Sequence, residues 1–309
     1  MRLDPDFAAY LDRIARELPV TAPLDVYARR ARMEEIQRRF PPSPDTVDRV
    51  DRIVALPGHE LPVRIYRAQP GTCPALVYFH GGGWVAGSVD THDGACAALA
   101  QDAQIVVIGV EYRRAPEHPF PLPNDDAFAA LEWIAANARV LDVDADRIAV
   151  GGDSAGAHLA AGLAIEARGR DIPLAFQLLI YPVIEPDFES ASYLEHAISP
   201  TLTRADMIGY WAHYLGDALA TRDPRAVPSR AMTLARLPPA HVVVAELDPL
   251  RDEGVRYANL LRVAGVQATL VEASRLAHGF LRGAPYSRAA RDAQQALGFA
   301  TGRALGTIA

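Results

Sequence analysis

The sequence predicts an α/β fold in which a mostly parallel central sheet is covered by helices on both faces. Two observations support this class. From about residue 75 onward, short apolar runs alternate with helical stretches, a pattern typical of a parallel sheet that is buried on both faces. The chain of 309 residues is also 50% hydrophobic and 22% charged, which is enough apolar material for a large core.

The N-terminal region predicts helices followed by a β-hairpin. Apolar residues recur at helical spacing in two groups, Phe7, Leu11, Ile14 and Leu18, and then Val26, Met33 and Ile36. The proline-rich segment 40–44 stops this pattern, because proline has no amide hydrogen to donate. Two β-rich runs, 50–56 and 61–66, flank Pro57-Gly58, and this arrangement predicts a hairpin.

The rest of the chain supplies the other strands and helices. The predicted strands are Ala75–Phe79, Ile105–Val110, Ile148–Val150, Phe176–Ile180, His241–Ala245 and Ala268–Val271. The predicted helices are Ala95–Asp102, Ala127–Asn137, Ala155–Ala167 and Gly254–Ala264. Between Tyr181 and Pro239 the sequence predicts no clear strand and one helical patch, 207–215. An insertion of this size usually has a function, such as that of a lid.

The net charge and the cysteine content exclude several function classes. A formal charge of −7 argues against nucleic-acid binding, since phosphate contacts need a basic surface. No apolar run approaches the ~18 residues of a membrane span, and the charged N-terminal segment lacks the apolar core of a signal peptide. Two cysteines make no disulfide framework, and no metal-ligand spacing is visible. We therefore expect a cytoplasmic protein that needs no metal or cofactor and has no nucleic-acid partner.

The motif Gly152-Asp153-Ser154-Ala155-Gly156 is the strongest local signal. The pattern Gly-x-Ser-x-Gly alone is weak, because it occurs by chance in roughly one chain in ten of this length. Here it follows a predicted strand and opens a predicted helix, which is the context that a nucleophile elbow requires. Ser154 is therefore the candidate nucleophile.

A second motif, His80-Gly81-Gly82-Gly83-Trp84, comes directly after the strand 75–79. A glycine triplet lets the backbone present several N–H groups to a developing oxyanion, without obstruction by side chains. The alternative is a phosphate-binding turn. The spacing matches neither G-x-x-x-x-G-K-[ST] nor G-x-G-x-x-G, and the motif has no lysine.

A serine nucleophile needs a base and a group that orients the base. Among nine histidines, His278 follows the last predicted strand after a short loop, 272–277, and Asp248 follows the preceding strand. Loops beyond the carboxyl ends of parallel strands are where such folds place their sites. Asp252 and Glu253 are the competing acids, with an alternative role as charges that complement a helix dipole. The order Ser154, Asp248, His278 is that of α/β-hydrolases.

These residues resemble the hormone-sensitive-lipase-like esterases, which are bacterial family IV of the α/β-hydrolases. The resemblance runs from about Leu76 to Phe280, and it includes the segments 80–84, 112–121, 152–156, 248–254 and 278–280. Aspartate at position 153 is typical of the Gly-Asp-Ser-Ala-Gly subgroup. The resemblance implies the α/β-hydrolase fold, a Ser154 nucleophile, a His278 base and an Asp248 orienter. It also implies an oxyanion hole formed by the amides of Gly81, Gly82 and Ala155.

The resemblance further implies a helical cap. It implies that residues 1–45 form the N-terminal cap segment and that residues 46–309 form the catalytic domain with a cap insertion at about 183–225. Trp84 and Phe280 flank the catalytic motifs and are candidates for the substrate pocket, with core packing as the alternative. A monomer, or a homodimer through the edge strand around 268–271, is expected from the likeness alone.

The function favoured by the sequence is hydrolysis of short- to medium-chain carboxylic esters through an acyl-enzyme, with a small-molecule ester as the partner. Long-chain lipase activity is less favoured, because the cap has no long exposed apolar stretch. An amidase, lactonase or formamidase would use the same three residues and stays an alternative. A non-catalytic small-molecule receptor is expected to have lost the nucleophile or the base, and here both are present.

Overall fold

An eight-stranded sheet runs through the centre of the computed structural model, which describes residues 2–218 and 220–309. The strands are β1 (Asp48–Leu56), β2 (His59–Arg67), β3 (Cys73–Phe79), β4 (Val106–Val110), β5 (Val143–Asp153), β6 (Phe176–Ile180), β7 (Ala240–Leu247) and β8 (Ala268–Ala277). Their order across the sheet is β1-β2-β4-β3-β5-β6-β7-β8. Strand β2 is antiparallel to both of its neighbours, and the other pairs are parallel. The predicted α/β class is confirmed.

The helices lie before, between and after the strands. They are α1 (Pro5–Glu17), α2 (Val26–Arg39), α3 (Asp93–Ala103), α4 (Leu122–Ala136), α5 (Ala155–Gly169), α6 (Ala191–Glu195), α7 (Arg204–Leu215), α8 (Arg251–Val263) and α9 (Arg288–Ala304). Within the described ranges, none of them is both long enough and apolar enough to cross a bilayer.

The alternation of side chains along the strands creates two layers of core. On β3, Ala75, Val77 and Phe79 face the cluster that includes α4, α5 and α8. Leu76 and Tyr78 face the opposite cluster, which includes α1, α3 and α9. Successive strand residues point to opposite faces of a sheet, so an apolar run such as 75–79 can bury every side chain only when helices cover both faces.

Several strands extend further than the sequence predicts, and the extension of β8 brings a site residue into place. Strand β8 continues to Ala277, so His278 follows the strand directly and not after a loop. The second half of β8 is rich in exposed polar residues, so it lacks an apolar signal. Its pairing with β7 is interrupted between Ala245 and Leu247, and Arg275 has a φ of +59°. These are features of a bulge, which redirects the side chains that follow it.

Helix α9 has no counterpart among the predicted elements. It consists mainly of small and charged residues and buries few large apolar side chains, Leu297 being one. Ser287 caps its first turn by accepting a hydrogen bond from the amide of Ala290 at 3.2 Å. Because its packing uses small residues against α3, it gives a weak apolar periodicity.

The insertion between β6 and β7 contains the helices α6 and α7, and α7 corresponds to the predicted helical patch 207–215. No strand occurs in its described residues. Glu253 of α8 anchors its beginning. One carboxyl oxygen accepts hydrogen bonds from the amides of Ile184 at 2.6 Å and Glu185 at 2.8 Å, and the other lies 3.2 Å from the Tyr193 hydroxyl. The side chain is buried, and this burial raises the pKa of Glu253 to about 8.

The raised pKa of Glu253 makes the stability of the protein depend on pH. The folded state holds the proton up to about pH 8, whereas the ordinary value is 4.5. This contribution to stability is therefore complete below about pH 4.5 and is lost as pH rises through 8. We expect the melting temperature of the wild type to decline over this range. Glu253→Gln, which mimics the protonated carboxyl, should decline less.

The measurement is thermal unfolding of wild type and Glu253→Gln across this pH range. Glu272→Gln is the matched control, because Glu272 is an exposed glutamate. It should follow the wild-type curve. Parallel curves for wild type and Glu253→Gln would contradict the assignment of the proton to Glu253.

Candidate active site

Ser154 occupies a sharp turn between the end of β5 and the start of α5. Its backbone has φ 56° and ψ −120°, a region that residues other than glycine rarely adopt. The Ser154 amide donates to the carbonyl of Ile180 on the neighbouring strand at 2.9 Å, which helps to hold the turn in place. This geometry is the nucleophile elbow that the motif predicts.

The two glycines of the motif are required by a close approach of the backbone. Strand β3 runs beside β5 with Phe79 opposite Gly152. A Cβ atom on either Gly152 or Gly156 would collide with the carbonyl oxygen of Phe79. The elbow can therefore pack against the end of β3, which carries the glycine triplet, only if both positions lack a side chain.

A chain of hydrogen bonds joins the three predicted catalytic residues. The Ser154 hydroxyl lies 2.9 Å from Nε2 of His278, and Nδ1 of His278 lies 2.8 Å from Oδ2 of Asp248. The other carboxylate oxygen of Asp248 accepts the amide of Leu250 at 2.9 Å. All three side chains are buried. With Nδ1–H donating to Asp248, Nε2 is free to accept the serine proton, which is the arrangement that activates a serine.

These three residues meet because of the strand order. They follow β5, β7 and β8, and the carboxyl ends of these parallel strands lie at one edge of the sheet. The competing acids lie elsewhere. Asp252 accepts the amide of Ser192 at 2.8 Å, and Glu253 holds the insertion as described above. Both lie in the first turn of α8 and anchor the insertion. The predicted dipole role needs a charged group, and Glu253, whose pKa is raised to about 8, does not supply one at neutral pH.

The structure changes the predicted oxyanion hole at one position. The amide of Gly81 donates to Oδ1 of Asp153 at 2.9 Å, so it is not free to bind an oxyanion. Gly82 and Gly83, with φ of 127° and 62°, line the cavity beside Ser154. Within residues 2–218 and 220–309, neither of their amides donates a hydrogen bond, and the same is true of Ala155 at the start of α5. In the described residues, the amides without an acceptor at this turn are therefore those of Gly82, Gly83 and Ala155, and the engaged amide of Gly81 leaves the predicted set.

Asp153 is the residue that fixes the glycine triplet against the elbow. Its carboxylate accepts hydrogen bonds from the hydroxyl of Tyr78 at 2.8 Å, the Gly81 amide and the hydroxyl of Tyr181 at 3.3 Å. Burial alone would raise the pKa of Asp153, but His92, at 3.4 Å, and Tyr78 hold that pKa well below its ordinary value. Asp153 is thus a buried anion that ties the end of β3 to the nucleophile turn.

A cavity of about 390 Å³ lies over Ser154 and His278. Helices α2 and α7 and the segments next to them provide much of its wall. The apolar residues from these regions are Val20, Pro23, Leu24, Met33, Ile36, Pro200, Leu202, Met207 and Tyr210. In a sequence, an apolar residue that lines a cavity looks the same as one that packs in the core. The sequence therefore does not identify these residues as the wall of a cavity.

Trp84 and Phe280 do not belong to the lining of this cavity, which corrects their assignment to the pocket. The Trp84 ring stacks on Tyr214 with centroids 4.2 Å apart, and its Nε1 donates to Nδ1 of His158 at 3.3 Å. Phe280 packs edge-on against Tyr181 at 5.1 Å. Both side chains are fully buried. They therefore support the loops of the site from beneath, as core residues.

The chain is similar to known proteins over most of its length. A family model described as "alpha/beta hydrolase fold" matches residues 76–282. Esterase LipI of Mycobacterium tuberculosis is 39% identical over 289 residues, which cover 90% of this chain and 88% of the relative. Carboxylesterase NlhH of the same species is 39% identical, and the match covers 98% of this chain and 96% of the relative.

A solved structure extends the likeness to three dimensions. The hyperthermophilic esterase from the archaeon Pyrobaculum calidifontis superposes with a TM-score of 0.90 at 36% identity, and the superposition covers 98% of this chain and 99% of that one. The fold, the sequence likeness and the matched family model agree. The chain belongs to the alpha/beta hydrolase fold family.

Proposed function

We propose that this protein hydrolyses short- to medium-chain carboxylic esters, with Ser154 as the nucleophile. The observation that carries the proposal is the hydrogen-bonded series Ser154–His278–Asp248 at the floor of an open cavity. The chain is a serine carboxylic-ester hydrolase, a conclusion that its family and the esterase names of its relatives support.

The first half-reaction forms an acyl-enzyme. Ser154 Oγ attacks the ester carbonyl carbon while Nε2 of His278 takes the hydroxyl proton, and the carbonyl oxygen becomes an oxyanion. The amides of Gly82, Gly83 and Ala155 stabilise that charge, and each such donor contributes roughly 10²–10³ in rate. Asp248 holds the imidazole in the required tautomer and stabilises its charged form. The bond to the alcohol then breaks, and His278 gives the proton to the leaving oxygen.

The second half-reaction repeats these steps with water. His278 takes a proton from a water molecule, and the resulting hydroxide attacks the acyl carbon bound to Ser154. The same amides stabilise the second oxyanion. When this intermediate collapses, the bond to Ser154 Oγ breaks and the proton from His278 returns to it. The products are one carboxylic acid and one alcohol, and the residues are unchanged.

We also propose that residues 1–45 and the insertion at about 183–225 act together as a cap over the site. Arg29 of α2 forms an ion pair with Asp206 of α7 at 2.7 Å and donates to the Tyr210 hydroxyl at 3.0 Å. Arg30 binds Glu117 at 2.7 Å and the carbonyl of Val85 next to the glycine triplet. These contacts support a cap whose two parts are joined to each other and to the catalytic loops.

The chain-length preference rests on the size of the cavity. At about 390 Å³ it lies near the lower end of the range for small-molecule sites. We expect hydrolysis of p-nitrophenyl esters, measured from acetate to palmitate, to be fastest at short or medium chains. A maximum at palmitate would overturn the proposed chain length. No turnover on any ester by the folded protein would overturn ester hydrolysis.

The same assay separates the alternatives. Matched p-nitroanilides test amide hydrolysis, and a higher turnover of anilides than of esters would favour an amidase. The cytoplasmic location stays a prediction. The monomeric or homodimeric state also stays a prediction, although the position of β8 at the edge of the sheet is compatible with pairing between two copies.

A further inference from the structure

The cavity above Ser154 carries an excess of positive charge. Its charged lining residues, apart from His278, are Arg29, Arg32, Asp153, Asp206 and Arg282. The chain as a whole has a formal charge of −7, so a positive interior is opposite in sign to the protein around it. A cleft with an excess of one sign of charge attracts ligands of the other sign.

The two carboxylates of the cavity are already engaged. Asp206 forms the ion pair with Arg29 at 2.7 Å and also accepts the Thr203 hydroxyl at 2.6 Å. Asp153 is buried and accepts hydrogen bonds from Tyr78 and the Gly81 amide. In the described residues, neither carboxylate lies within 4.0 Å of Arg32 or Arg282. The three guanidinium groups outnumber the two carboxylates by one, so the excess is one positive charge.

Arg282 is the nearer of the two to the catalytic histidine in the chain. It lies in the 3₁₀ turn Phe280–Gly283, four residues after His278. In the described part of the chain, its guanidinium makes no hydrogen bond or ion pair. Its Nη2 lies so close to Gly279 that a Cβ there would be 2.8 Å away. A guanidinium has five N–H donors, and a half-buried group with free donors favours an acceptor from the substrate.

Arg32 differs from Arg282 in that one of its donors is used. Its Nη1 donates to the carbonyl of Leu18, which holds the segment between α1 and α2. Burial lowers the pKa of Arg32. Arg32 is therefore a second positive group on the α2 side of the cavity with a structural task. Among the described residues, no hydrogen bond or ion pair occupies the guanidinium of Arg282.

Resting on the proposed ester hydrolysis, we propose that Arg282 binds a carboxylate carried by the substrate, so that anionic esters are preferred to neutral esters of the same size. Arginine and carboxylate form two parallel hydrogen bonds in a planar pair. A site that hydrogen-bonds a substrate group discriminates strongly against an analogue that cannot complete those bonds.

The test uses two pairs of substrates in which only the charge differs. Monoethyl succinate and ethyl succinamate place the carboxylate or the neutral amide on the acyl side. The pair 3-acetoxypropanoate and 3-acetoxypropanamide places it on the alcohol side. We expect the wild-type kcat/KM to be at least about tenfold higher for the carboxylate member of one pair, and the pair that responds identifies the side that Arg282 contacts.

Three variants assign the preference to Arg282. Arg282→Gln should lower the ratio of carboxylate to amide kcat/KM by about tenfold, and Arg282→Lys should restore part of it because the charge is kept. Arg288→Gln is the matched control, since its side chain is 85% exposed and lies outside this cavity. A preference that survives in Arg282→Gln but disappears in Arg32→Gln would overturn the assignment.

Binding to Ser154→Ala separates this proposal from the proposed function. Titration calorimetry of this variant with each substrate pair measures the preference without turnover, and the carboxylate member should bind at least about tenfold more tightly. Equal affinities in both pairs would overturn the role of Arg282, even if neutral esters are hydrolysed. Preferential carboxylate binding without any hydrolysis by wild type would overturn ester hydrolysis and leave the Arg282 site standing.

Discussion

Replacement of Ser154 by alanine is expected to reduce kcat for a short-chain ester by about 10⁶-fold, the loss typical of a serine-hydrolase nucleophile. The change removes only Oγ, whose hydrogen bond is to His278 at 2.9 Å. Alanine keeps the Cβ that already exists at the unusual φ of 56°, so the backbone of the elbow gains no new strain. The fold should therefore be retained while the nucleophile is lost.

The measurement is p-nitrophenyl butyrate hydrolysis, with circular dichroism and thermal unfolding as checks of the fold. Ser43→Ala serves as the matched control, because Ser43 is exposed and lies outside the lining of the Ser154 cavity. It should retain wild-type turnover. Residual activity of Ser154→Ala above a few per cent would show that another group attacks the ester.

Asp248→Asn is expected to reduce kcat by about 10⁴-fold. The asparagine oxygen can still accept the amide of Leu250, which now binds Asp248 at 2.9 Å, so the turn should keep its shape. The new NH₂ group would face Nδ1 of His278 in place of an oxygen that is 2.8 Å away. Nδ1 would then act as the acceptor, and Nε2 would carry the proton and could not take one from Ser154.

The control for Asp248→Asn is Asp252→Asn, in the first turn of α8. Asp252 contacts the Ser192 amide and not His278, so its replacement should have a far smaller effect on kcat. The comparison uses the same ester and the same check of thermal unfolding. A larger loss in Asp252→Asn than in Asp248→Asn would reverse the assignment of the orienting acid.

The predictions that hold best are those in which local sequence determines conformation. The run Ala75–Phe79 is apolar at every position, and such a run fits a strand that is buried on both faces. Pro57-Gly58 between two β-rich runs gives the hairpin, with Leu56 paired to His59. Ser154 between two glycines after a strand gives the elbow. In each case the chain order and the neighbouring residues contain the information.

The placement of the three candidate catalytic residues could also be predicted. It requires only that each residue follows the end of a parallel strand, and not the exact position of that end. Asp248 and His278 follow the last two strands, and parallel strands end at one edge of a sheet. The exact end of β8 could not be predicted, because Glu272, Ser274 and Arg275 interrupt the apolar pattern and the end of the strand is held in register by β7. The proximity of Asp248 to His278 was therefore predictable, and the bulge that directs His278 was not.

Only the tertiary structure decides which groups face the substrate. All three glycines of the triplet look equivalent in the sequence, and Gly81 is excluded from the oxyanion hole by Asp153, which is 72 residues away. The cavity wall likewise depends on the contact of Arg29 with Asp206, 177 residues apart. Local sequence determines the conformation of a turn or strand, whereas the free or occupied state of a donor depends on which distant residues pack against it. For that reason the sequence by itself determined the class of the fold and the candidate nucleophile. The packing of distant segments decided the cavity wall and, among the described residues, which amides and which guanidinium group have no hydrogen-bond partner.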